Sequence, residues 1–188
     1  MKSIVISILL IGIITTSCSA QKKIAALSDN VITKAKLESY MIKKEQQKVT
    51  IENSNNKLTN IKQTSPNLPF NIPLIPYYVK PNLQELKIIF AKYMTIKELE
   101  NLSINSFAGI SIDIRCNTTG KILEVLFFTD KNSILSLEQL ENIEHDIITT
   151  KNMITIKPEA ERYIKGSNFL LVDTRLVFSD ILKVKKTL

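Results

Sequence analysis

The single histidine of the chain, His145, follows Glu141 by four residues. On a helix that spacing sets two side chains one turn apart on one face, a geometry that can seat two metal ligands. A metal needs three or four ligands, and no third is identifiable in the sequence. Glu138, Glu144 and Asp146 share the segment; with Glu141 they read as a charged helix surface and form no evident acid/base pair. His145 points away from the apolar stripe of Leu140 and Ile143, so it reads as a surface histidine. A general base would need a partner within hydrogen-bond reach.

Two cysteines are present, Cys18 and Cys116. Cys116 continues the alternation of Ile110, Ile112 and Ile114, which predicts a buried thiol; a nucleophile would need exposure and a positive neighbour. The four glycines are scattered, so no phosphate-cradling loop is expected. No catalytic residue, cofactor or metal is expected, and an exported enzyme using Cys116 or His145 is the alternative with least support.

The elements that would position any site begin after an export signal. Lys2 supplies a positive charge, Ile4 to Ile14 form an apolar run, and small polar residues follow to Ala20. Eleven helical residues would span about 16 Å, half a bilayer core, so a removable leader over residues 1–20 is expected rather than a permanent anchor. Two cleavages fit. Cutting between Ala20 and Gln21 uses the small residues Cys18 and Ala20 and gives a periplasmic or secreted protein. Cutting before Cys18 would put lipid on that thiol and tether the protein to a membrane, although Thr15-Thr16-Ser17 lacks the usual leucine. In both cases Cys116 is left without a disulfide partner, so stability must come from packing.

The net charge of +7 is unevenly spread. Between Gln21 and Lys80 there are ten lysines against four acids, whereas Pro81 to Leu188 balances at fourteen against fourteen. Such a basic arm allows weak contact with an anionic surface, but a solvated lysine-rich segment explains it more simply. Only three of the twenty-five basic residues are arginine, and nucleic acid is not expected as a partner.

Within the arm, residues 28–49 are expected to form an amphipathic helix opened by Ser28 or Asp29, with Val31, Ile32 and Ala35 inward and Leu37 or Met41 beside them. Residues 53–81 turn to Asn, Ser and Pro. Leu68, Phe70, Ile72, Leu74 and Ile75 mark this stretch as a strap laid across a folded module. The expected division is leader 1–20, arm and strap 21–81, and an α+β domain 82–188.

In that domain, Asn82 to Glu85 and Thr95 to Glu98 have capping-box spacing, opening helices whose first inward face is Leu83, Leu86, Ile89, Phe90 and Tyr93. Ile110 to Cys116 alternates as a strand. Asn117-Thr118-Thr119-Gly120 supplies a turn, and Ile122 to Phe128 a second strand, with Leu123, Val125 and Phe127 on one face. Ser136 to Gln139 is a third box, so a helix begins at Leu137. Asn168 to Phe178 reads as a third strand, with Leu170, Val172, Leu176 and Phe178 toward the core. The expected fold is α+β, a small antiparallel sheet in the order strand, strand, helix, strand, packed on helices.

That order resembles the C-terminal domain of the TonB family, carried by Gly109 with ISIDIRC, the NTTGK turn, ILEVLFF, LSLEQLENIE and GSNFLLVDTRLVFS. The resemblance implies an exported bacterial protein of Bacteroidetes type. In the family, this domain meets outer-membrane receptors from the periplasmic side by pairing a strand edge with a receptor segment, and relays energy from an inner-membrane motor. A removable leader and a short proline segment depart from the family pattern, so docking without energy relay is the expectation.

A partner, another envelope protein, would then add a strand at the free edge of the third strand, whose odd face carries Phe169, Leu171, Asp173 and Arg175. The alternative is that the strap or the arm already covers that edge. A structural envelope role as a tethered lipoprotein is a further alternative.

Overall fold

The computed structural model describes residues 23–70, 72, 74 and 77–188. The expected leader, Cys18, the expected cleavage between Ala20 and Gln21, and Ile75 of the strap lie outside the described residues. Among those described, no helix is long and apolar enough to cross a membrane.

The chain enters with Ile24, fully buried and donating its N–H to the Leu135 carbonyl at 2.9 Å. Three antiparallel strands follow: β1 (Val31–Lys34), β2 (Ser39–Glu45) and β3 (Lys48–Asn53). The helix expected over residues 28–49 is therefore wrong. The true period is two, with Tyr40 and Ile42 buried on β2 and Val49 and Ile51 on β3. Its turns carry no glycine: Asn30 and Gln46 take positive φ of 53° and 45°. Asp29, expected as a helix cap, instead accepts the Lys44 N–H at 2.7 Å.

After the strap, β4 (Val79–Pro81) leads into α1 (Leu83–Tyr93) and α2 (Ile96–Leu102). Asn82 caps α1 by accepting the Glu85 N–H, and Thr95 and Glu98 form the full box on α2. Leu86, Ile89 and Phe90 are buried as expected, but Leu83 is exposed. Strands β5 (Gly109–Cys116) and β6 (Ile122–Asp130) form the expected hairpin, turned by Gly120 at φ 83°. A register shift at Arg115/Cys116 pairs Cys116 with Ile122, so Ile122 takes the core place expected for Leu123, which is pushed outward.

Helix α3 (Leu137–Thr149) starts where the Ser136/Gln139 box puts it. β7 (Ile154–Ile156) pairs with β4 in a separate two-stranded sheet, and a short α4 (Glu161–Ile164) follows. β8 (Leu170–Val177) ends one residue early, because Phe178 opens α5 (Phe178–Lys185). Phe178 is buried as the first residue of a helix, not the last of a strand.

The main sheet has six antiparallel strands in the order β1-β2-β3-β6-β5-β8. The fold is α+β, as the strand and helix order implies. One face carries Ile110, Ile112, Ile114, Val125, Phe127, Val172 and Leu176 against Leu86, Phe90, Leu140, Ile143, Ile147 and Ile181 of the helices. Each such buried side chain contributes about 1.5–3 kcal/mol. Phe90 and Phe127 meet edge to face, centroids 6.4 Å apart. A Cβ on Gly109 would stand 2.2 Å from the Leu176 carbonyl oxygen, so β8 closes on β5 only past a glycine.

The arm is thus half of the sheet. Lys48 to Glu52 pair with Asp130 to Leu126, and a boundary at residues 81/82 runs between strands of one sheet.

Candidate functional site

The acids of α3 belong largely to the interior. Glu141 and Glu144 are 6% and 4% exposed, which corrects their placement on a charged helix surface. Glu141 reaches the turn between β1 and β2, where its carboxylate accepts the N–H groups of Lys36, Leu37 and Glu38 at 3.2, 2.8 and 2.5 Å. Glu144 accepts from the Tyr40 hydroxyl at 2.5 Å and the Asn53 amide at 3.4 Å. Burial raises Glu144 above the ordinary carboxylate range against the pull of those two bonds. Burial, and then the Glu144 charge, push Tyr40 far upward, so the phenol keeps its proton and donates it.

Asp146 joins α3 to α1. It accepts from Lys92 and the Tyr93 hydroxyl, both at 2.8 Å; burial works the other way, yet these bonds hold Asp146 below its ordinary range. His145 is exposed at the rim of a cleft of about 260 Å³ lined by Leu37, Tyr40, Glu144 and Ile148. Among the described residues, no group of three or more His, Cys, Asp or Glu is arranged to hold a metal. Cys116 is fully buried, and burial pushes its thiol up to about 12, far from nucleophilic range.

A second buried carboxylate repeats the arrangement on the other face of the sheet. Glu124 accepts the N–H groups of Lys57 at 2.5 Å and Leu58 at 2.9 Å and pairs with Arg115 at 3.6 Å. Arg115 lies over the Phe169 ring at 5.9 Å, and its Nε and Nη1 have no hydrogen-bond partner among the described residues. Glu141 and Glu124 therefore fasten two loops of the arm onto the C-terminal strands and helices, each by charge-assisted bonds from backbone N–H groups. Sequence patterns missed this role, since the donors lie 103–105 and 66–67 residues away. Of the arm's lysines, Lys43 pairs with Glu52 at 3.1 Å across β2 and β3.

β8 stands at one end of the sheet, and its free edge has two halves. Phe169, expected on that edge, is buried beneath Arg115. The Leu171 N–H is taken by Gln63 Oε1 at 3.1 Å. Thr64 donates to Asn168 Oδ1 at 2.9 Å, and Asn168 returns its N–H to the Thr64 carbonyl at 3.3 Å. The strap thus covers the edge as far as Leu171. Beyond it, Asp173 and Arg175 are exposed. Since the Leu171 N–H faces outward, antiparallel alternation turns the N–H and C=O of Asp173 and Arg175 outward too, and among the described residues nothing accepts or donates there. Arg175 Nη2 donates to the Phe107 carbonyl at 2.8 Å, holding a loop whose Ile104 and Phe107 side chains are more than 80% exposed.

Fold and site define a small α+β protein, a six-stranded antiparallel sheet packed on helices, with a strap fastened at Glu124 and along half of the β8 edge, and the other half of that edge open. No family model and no curated protein matches the chain. Among solved structures, it is similar to a DUF5043 family protein from Bacteroides uniformis, with a TM-score of 0.64 at 16% identity, over 79% of this chain and 85% of that one. At that identity the likeness is one of fold.

Proposed function

We propose that the protein is an exported cell-envelope protein of Bacteroidetes type and a non-catalytic interaction module, which docks an extended segment as an added strand along Asp173 to Val177. The carrying observation is the outward row of backbone groups at Asp173 and Arg175, left open where the strap ends. The exposed Phe107 beside Arg175 adds apolar contact for an incoming side chain. The buried acids that a catalytic reading would recruit are engaged in holding the arm. Export rests on the leader pattern of residues 1–20, and the Bacteroidetes assignment on the fold likeness above. The TonB-like reading rests on the order of β5, β6, α3 and β8.

A photo-cross-linking residue at position 173, in the organism that makes the protein, tests the docking edge. An adduct from position 173 that is absent from position 97, on the exposed side of α2, is the expected result. No adduct above that control overturns it. Intact mass after expression separates a chain starting at Gln21 from one lipidated at Cys18, the latter shift being lost in Cys18→Ala.

A further inference from the structure

We propose that the strand added at this edge is β8 of a second copy, antiparallel, about a two-fold axis through Thr174. The inference rests on the reading of β8 as a docking edge and names its occupant. Symmetric antiparallel pairing matches residues whose numbers sum to twice that of the axis residue. With the axis at Thr174, Asp173 faces Arg175 of the second copy, and Arg175 faces its Asp173. All four residues point their backbone groups outward, so each pair can exchange two main-chain bonds.

Neighbouring registers fail. An axis at Asp173 sets carboxylate on carboxylate, and one at Arg175 sets guanidinium on guanidinium, which is unfavourable for directly opposed residues. An axis at Val172 drives the second copy into the strap at Asn168 and Thr64. One at Leu176 carries Asp173 onto residue 179, already inside α5. Charged residues on an edge normally guard it against pairing. Opposite charges two residues apart reject every register but one and make that one self-complementary.

Arg175 is prepared for the role. Its Nη2 is tied to the Phe107 carbonyl, which fixes the guanidinium and leaves its other N–H groups for a carboxylate. Asp173 stands opposite Asp113 of β5 on the same face, so an arriving guanidinium also relieves a like-charge pair. The strap ends at Leu171 and α5 begins at Phe178, which confines the contact to the few residues that match.

Thr174 at the axis provides the test, because a non-hydrogen-bonded antiparallel pair holds Cα atoms about 4.5 Å apart, within disulfide reach. Under mild oxidation, full-length Thr174→Cys is expected to form a covalent dimer at least about tenfold faster than Thr119→Cys on the exposed β5–β6 turn. Adding Asp173→Arg should abolish the advantage, and Asp173→Arg with Arg175→Asp should restore it. Asp173 makes no side-chain hydrogen bond among the described residues, and thermal melts of each variant check that the fold is kept. Equal rates at positions 174 and 119, or reversal variants that cross-link like the parent, overturn the proposal. If position 173 meanwhile yields an adduct with a different protein, the docking edge stands and only its occupant is wrong; if it yields none, both fail.

Discussion

Glu141 places carboxyl oxygens where water is nearly absent, and three backbone N–H groups from one turn make that tolerable. Truncating it leaves those donors without their acceptor, so Glu141→Ala should lose about 2 kcal/mol in urea unfolding. Glu138→Ala, one turn back and only half-buried, should stay within about 0.5 kcal/mol. Asp113 gives a pH signature. Burial, then the charge of Asp173, raises it against the pull of Arg115. Its folded form therefore binds a proton more tightly than the unfolded chain. Its contribution improves as pH falls through the raised value toward the ordinary carboxylate range, and is least favourable at neutral pH. Asp113→Asn should raise the melting temperature at pH 7, and the gain should vanish near pH 3; a constant gain at both pH values would remove the charge from the explanation. None of this was visible in the helical spacing of Glu141 and His145. A wheel shows which residues share a face, not that a carboxylate will meet the N–H groups of a turn a hundred residues away.

At the scale of elements, legibility followed how local the signal was. The Ser136/Gln139 and Thr95/Glu98 boxes act within four residues, and α3 and α2 start where they dictate. The β5–β6 hairpin was equally readable, because Gly120 supplies its turn and the isoleucines alternate. The first three strands were not, since Asn30 and Gln46 take positive φ without glycine and the short, lysine-rich strands bury few residues each. α5 was hidden because Phe178 continues the alternation of β8 while opening a helix. A fragment of residues 82–188 loses β1 to β3, bares the edge of β6, and deprives Glu124 and Glu141 of their donors. It should fail to give a cooperative thermal transition by circular dichroism, whereas residues 21–188 should melt in one step. A fragment that folds alone would mean that the arm is an attachment after all.

For the whole molecule, the sheet has two edges of different character. β1 ends it with four residues, too short to template much pairing, and β8 ends it with a covered half and an open one. Sequence alternation alone identified the odd face of β8 but could not show the strap stopping at Leu171, which depends on Gln63 and Asn168 meeting across the fold. Amide hydrogen exchange across β8 reads whether its open half takes up a strand. In dilute protein, Val172 and Thr174, turned toward β5, should exchange slowly, and Leu171 should be slowed by Gln63, while Asp173 and Arg175 exchange fast. On concentration, Asp173 and Arg175 should become protected while the others barely change. Protection of Asp173 and Arg175 already in the dilute monomer would mean that the edge is closed and docks no strand there.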